Sequence, residues 1–101
     1  MQITRRSLTL GAPLALAAMH PARAADTSPI VIGYPAALTG PSSAPGVGQN
    51  RGVTYIVDQI NAAGGVKGRK IEMVTRDTQG DPTKAVNAVQ EMMANYKVHA
   101  I

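Results

Sequence analysis

The residues in this 101-residue chain whose types and spacing suit chemistry are a glycine cluster, two aspartates and two histidines. Gly46-Val47-Gly48-Gln49-Asn50-Arg51-Gly52 approaches a dinucleotide fingerprint, with Asp77 downstream where a ribose-binding acid would stand. The spacing is G-x-G-x-x-x-G, one residue too long, and the first glycine lies well beyond Tyr34, where the preceding apolar run ends. A tight strand-to-helix turn that holds backbone against a pyrophosphate is therefore missing. The glycines read instead as points where a loop and a helix start pack closely. Asp77 and Asp81 face each other across a loop, where backbone hydrogen bonding and helix capping suit them better than paired acid–base work. His99 stands alone in an apolar run, and His20 falls in a segment set aside below. No G-x-x-x-x-G-K-[ST], G-x-S-x-G or H-E-x-x-H occurs, and there is no Cys. These residues point to a chain with no catalytic group, no metal and no cofactor.

The N-terminus is read as a signal peptide, residues 1–24, of twin-arginine type. Met1–Arg6 is basic, Leu8–Met19 is modestly apolar and Ala22-Arg23-Ala24 is an A-x-A cleavage site. The apolar piece is too short for a bilayer, which needs roughly 20 residues. Arg5-Arg6 directly ahead of Ser7-Leu8 gives the twin-arginine pattern. The whole chain carries a net charge of +4, which invites a nucleic-acid reading. Three of the arginines lie in the segment to be removed. Residues 25–101 keep seven basic against six acidic groups, a net of +1, and have no aromatic platform beside Lys67, Arg69 and Lys70. No nucleic-acid partner is expected. The mature product is expected in the periplasm, free of a lipid anchor because no Cys stands at the cleavage site.

These residues must be positioned by a short set of elements. Ile30–Tyr34 is a β-branched apolar run between prolines, suited to a strand buried on both faces. Pro35–Gly46 follows as a loop, long against the usual 2 to about 6 residues of a βα connection. A helix is predicted over Gly48–Ala63, with Val53, Ile56, Val57 and Ile60 on one stripe. Gly64-Gly65 ends it. A second strand covers Ile71–Thr75 and a polar loop Arg76–Gly80. A second helix starts at Asp81-Pro82, with Ala85, Val86, Val89, Met92, Met93 and Tyr96 as its stripe. Val98–Ile101 opens a third strand. The fold class is α/β, a βαβαβ start of a doubly wound parallel sheet. Residues 25–101 are expected to be a truncated, partial N-terminal lobe, since so short a core without disulfides holds itself together poorly. In such sheets ligands sit outside the C-terminal ends of the strands. Ser42, Ser43, Ala44 and Pro45, in the long first loop, are the candidate ligand-binding residues. Tyr34 and the methionines are assigned to packing.

Several runs together resemble a known family: Ile32-Gly33, Leu38-Thr39-Gly40-Pro41, the stretch Asp58 to Glu72 containing Ile60-Asn61-Ala62-Ala63-Gly64-Gly65-Val66-Lys67-Gly68-Arg69-Lys70-Ile71, and Asp77 followed by Asp81-Pro82. The chain is similar to the leucine/isoleucine/valine-binding proteins, the type I periplasmic binding proteins of branched-chain amino-acid ABC importers, over about the first quarter of such a protein. That resemblance implies two α/β lobes closing over a small solute, an amino acid or related amide or carboxylate, and docking on membrane permease subunits. In many members an aromatic residue stands where this chain has Pro45, and some have a Cys at the position of Gly80. Pro45 leaves the identity of the solute open. The alternatives are an exported α/β enzyme and a ligand-sensing lobe of a regulatory receptor.

Overall fold

The computed structural model describes residue 11 and residues 24–101. The signal-peptide reading of residues 1–24 therefore falls almost wholly outside the described residues. The elements run β1 (Ile30–Ala36), α1 (Ser43–Ala62), β2 (Ile71–Asp77) and α2 (Pro82–Asn95). The two strands are parallel, in register from Ile30 opposite Ile71 to Ala36 opposite Asp77. Ala100 bridges Ile32 on the other side of β1, also in parallel. β1 is thus central, and the chain steps first to one side of it and then to the other. With right-handed crossovers, that reversal sends α1 and α2 to opposite faces. This is the start of the α/β doubly wound sheet that the hydrophobic pattern calls for.

The boundaries differ from the sequence reading in several places, one of them β2, which runs on through Arg76 to Asp77 instead of ending at Thr75. β1 runs through Pro35 to Ala36. The N–H of Ile30 points to β2, while those of Val31 and Gly33 point the other way. By that alternation position 35 faces away from β2, so a missing N–H costs the β1–β2 ladder nothing. The helix α1 starts at Ser43, not Gly48. Pro45 is its third residue, and the first four N–H groups of a helix have no partner within it in any case. The first loop shrinks to residues 37–42, an ordinary βα connection, so its supposed excess length disappears. The third strand is a single bridge. His99 N donates to Val31 O (2.7 Å) and Gly33 N to Ala100 O (2.8 Å). The N–H of Val31, which a carbonyl of a third strand would take, donates to the imidazole Nδ1 of His99 instead (3.0 Å).

The core lies between α2 and the sheet. Met92 is fully buried, and Val74 and Ala88 are nearly so. Gly33 is the floor under Met92: a Cβ there would come within 2.7 Å of its Sδ. The second stripe is only partly used. Ala85, Ala88, Val89 and Met92 face inward, whereas Val86 and Met93 stay more than half exposed. Two strands are too narrow to cover so wide a stripe. On α1, Val53, Val57 and Ile60 are half-buried, and Ile56 and Tyr55 face outward. Tyr96 lies 5.0 Å from the guanidinium of Arg76, at the far end of α2. Arg76 in turn grips Glu91 through both carboxylate oxygens (2.9 and 3.2 Å), which raises the arginine's pKa and lowers the glutamate's.

Candidate functional site

An open recess of about 380 Å³ lies at the C-terminal end of β1, where the strand order reverses. Its floor is Tyr34–Ala37, one side is Ser42, Pro45, Gly46 and Gln49, and the other side is Thr78 and Ala85. Among the described residues, no Asp, Glu, Lys or Arg lines it. Gly46 brings α1 close to the strand end: a Cβ there would sit 1.9 Å from the carbonyl oxygen of Ala37. Any other residue would push the helix away. Gly48 and Gly52 face open space, so in the glycine cluster only Gly46 needs to lack a side chain. Thr78 is the buried polar residue of the recess. Its N–H donates to Ala36 O (2.9 Å), which carries the strand pairing one residue further.

Of the four candidate ligand residues, the structure brings two to the recess. Ser42 is the N-cap of α1 and Pro45 is in its first turn. Ser43 is half-buried and donates its N–H to Gly40 O (3.1 Å), and Ala44 is exposed on the same turn, off the recess. Tyr34 lines the recess rather than the core. Gln49 also lines the recess, a placement that follows from the earlier start of α1. With α1 beginning at Ser43, Pro45 and Gln49 are four residues apart and share a face.

Beside the recess, Asp77 ties two loops together. Oδ1 accepts from the N–H groups of Leu38 (2.9 Å), Thr39 (3.3 Å) and Gln79 (2.9 Å), and Oδ2 accepts from the Thr39 hydroxyl (2.5 Å). The Thr39 hydroxyl first, then these N–H groups, hold its pKa down at about 2. Asp81 caps α2, accepting from Lys84 N (2.8 Å), with Pro82 behind it. Both aspartates therefore do the loop and cap work expected of them. At the opposite end of the sheet, the Asn61 side chain exchanges two bonds with Ile71, donating to its O (2.9 Å) and accepting from its N (2.8 Å). Arg69 there donates to Ser28 O (2.7 Å). Among the described residues, no three or more His, Asp or Glu side chains gather as a metal site. No described helix is long and apolar enough to cross a membrane.

A βαβα unit with a neutral recess at the reversal of strand order is found in many α/β proteins, so comparison with known proteins decides which of them this is. Residues 29–101 match the family described as periplasmic binding protein. The chain belongs to the periplasmic binding protein family. A relative of known name is Leu/Ile/Val-binding protein homolog 3 of Brucella melitensis, 35% identical over 89 residues, which are 88% of this chain and 24% of that protein. Among solved structures, the branched-chain amino acid transporter substrate-binding protein of Streptococcus pneumoniae, in complex with isoleucine, is 33% identical with a TM-score of 0.68. The match covers 69% of this chain and 20% of that one. A fatty acid ABC transporter substrate-binding protein of Thermomonospora curvata is 34% identical with a TM-score of 0.65, over 70% of this chain and 18% of that one. The chain thus spans about a quarter of the length of the curated relatives it matches. The fold expectation and the family resemblance both hold.

Proposed function

We propose that this chain supplies the N-terminal-lobe wall of a solute cleft in the binding component of an ABC importer, and that it works without catalysis. The observation that carries this reading is the recess: it sits at the C-terminal end of the central strand, where open α/β sheets take their ligands. The transport role is supported by the relative solved with isoleucine, which is named as a branched-chain amino acid transporter substrate-binding protein, and the solute class by the relative named as a Leu/Ile/Val-binding protein homolog. The Thermomonospora relative is named for fatty acid transport. All of these solutes have an aliphatic body. The recess is made of Pro35, Ala36, Ala37, Pro45, Gly46 and Ala85 with a few neutral polar groups, and suits an aliphatic, uncharged part of a solute. Any charge on the solute is then met by groups outside this recess. Export through residues 1–24, release in the periplasm and docking on membrane permease subunits complete the proposal.

The test is calorimetric titration of the full-length protein that carries this segment with leucine, isoleucine, valine and octanoate. At least one should bind, and Pro45→Trp, which fills the recess, should weaken it. Identical affinities in the wild type and Pro45→Trp for every solute that binds would refute the recess as a cleft wall. Export is tested separately: Lys at both Arg5 and Arg6 should leave the precursor uncut in the cytoplasm, and unimpaired export would rule out the twin-arginine route.

A further inference from the structure

We infer that Asp77 is the positioning residue of the recess: it fixes the neutral wall that meets the solute without touching the solute itself. The inference rests on the reading of the recess as a solute wall and adds what holds that wall in place. Asp77 is the last residue of β2 and pairs with Ala36, the last of β1. From there the chain must turn over residues 37–42 and enter α1. The near end of that connection is held by Thr78 N donating to Ala36 O, and the far end by Ser43 N donating to Gly40 O. Between them, the N–H groups of Leu38 and Thr39 and the Thr39 hydroxyl all go to the Asp77 carboxylate. The same Oδ1 also takes Gln79 N, so one ionised group sets the β1–α1 and the β2–α2 connection at once.

The two connections also touch. A Cβ on Gly80 would be 3.4 Å from the Cβ of Ser42, and one on Gly40 would be 3.4 Å from Gln79 O. Ser42 lines the recess, and Pro45 follows it within one turn of helix. Releasing Leu38 and Thr39 therefore moves Ser42 and the start of α1 against β1. Among the described residues, the recess wall holds no charge of its own. Its geometry depends on a carboxylate outside the lining, whose Oδ1 takes three main-chain N–H groups and whose Oδ2 takes the Thr39 hydroxyl. A group of that kind changes how tightly the site binds but does not select among solutes.

The experiment compares Asp77→Ala, Thr39→Val, Thr39→Ser and Pro45→Trp with the wild-type full-length protein, titrating leucine, isoleucine, valine and octanoate. Asp77→Ala is expected to weaken every solute that binds by one common factor, about tenfold. Thr39→Val should weaken binding by a smaller common factor, and Thr39→Ser, which keeps the hydroxyl, should restore it. Pro45→Trp, a wall residue, should change the order of preference among solutes. Amide exchange at Leu38 and Thr39 should speed up in Asp77→Ala with no solute present. If Asp77→Ala does not fold, Thr39→Val and its Ser rescue carry the same comparison by removing a single hydroxyl. Unchanged affinity in folded Asp77→Ala, or a loss that differs from one solute to the next, overturns the inference while an effect of Pro45→Trp keeps the recess reading intact. No effect from either Asp77→Ala or Pro45→Trp removes the reading and the inference together.

Discussion

Two turns with the same backbone geometry stand at opposite ends of the sheet, and they serve different ends. In Val66–Arg69 the central residues Lys67 and Gly68 both have positive φ (50° and 77°); in Thr78–Asp81 the central residues Gln79 and Gly80 do too (54° and 74°). Positive φ at both positions is the requirement of a type I′ turn. The first turn closes on itself, Val66 N to Arg69 O (2.7 Å) and Arg69 N to Val66 O (2.9 Å). The side chain of Asn61 before the turn bonds Ile71 at the start of β2, and that of Arg69, the last residue of the turn, bonds Ser28 just ahead of β1. The second closes by a single main-chain bond, Asp81 N to Thr78 O (2.9 Å); its Gln79 N–H goes to Asp77, and Thr78 lines the recess. Local geometry alone does not mark a functional end. What differs is whether the polar groups around the turn are used to finish the fold or to shape an opening.

That contrast also explains which parts of the molecule were legible in the sequence. The run Asp58 to Glu72 is the most recognisable piece of the family, and none of it lines the recess. Its residues are fixed by backbone demands. Gly64 and Gly65 have φ of 107° and 80°, and a Cβ on Gly65 would lie 2.1 Å from Arg69 O. Such requirements permit few residues, so they leave a strong signature. The recess is lined by small and neutral residues, a requirement that many sequences satisfy. There two of the four candidate residues, Ser42 and Pro45, line the recess, and Gln49 and Thr78 line it as well. The sequence reading treated the prolines as loop markers, although Pro35 sits on the side of β1 away from the β2 ladder and Pro45 in a helix's first turn. His99 could not be foreseen in its actual role, because nothing local says that an imidazole will take a strand's hydrogen-bond slot.

The sharpest way to break the comparison is a pair of glycine substitutions. Gly65→Ala and Gly46→Ala each drive a methyl into backbone, at 2.1 Å from Arg69 O and 1.9 Å from Ala37 O. Each should destabilise the full-length protein by about 2–4 kcal/mol, as overpacking against immovable atoms does. Gly65→Ala should leave the affinity of the folded fraction unchanged. Gly46→Ala should weaken binding as well, because α1 can relieve the clash only by moving off the recess. Denaturant melts combined with titration separate the two, and equal affinities in both variants would erase the distinction between the ends.

Next in size is Asn61→Ala, which removes a donor and an acceptor from the Ile71 backbone in a partly buried setting. A loss of about 1–2 kcal/mol is expected, with solute affinity unaltered. At the recess end the matching lever is acid. The pKa of Asp77 is depressed from 3.8 to about 2, so its contribution is complete above pH 4 and is lost as the pH falls toward 2. Carboxyl NMR should find the Asp77 midpoint near the low value, and Thr39→Val should move it upward. A midpoint at the ordinary aspartate value would mean that the Leu38–Thr39 corner is not held.

The smallest expected effect is also the most direct test of the two turns. Lys67→Asn and Gln79→Asn both place at the first central position a residue that adopts positive φ with less strain than the one it replaces. For Lys67 nothing else is lost: the turn is closed by main-chain bonds that do not involve its side chain. The full-length protein should gain up to about 0.5–1 kcal/mol, measured by chemical denaturation. Gln79 differs because its side-chain oxygen accepts from Lys84 Nζ on α2, a contact that a side chain shorter by one methylene would not reach. The backbone gain at 79 should be offset, leaving stability unchanged within a few tenths of a kcal/mol. The main chain of residue 79 still donates to Asp77 in that variant, so solute affinity should also hold. Equal gains in both variants would show that the Lys84 contact contributes nothing and that the turns differ only in what surrounds them. A loss at Lys67 would contradict the account of that turn as a closed structural unit.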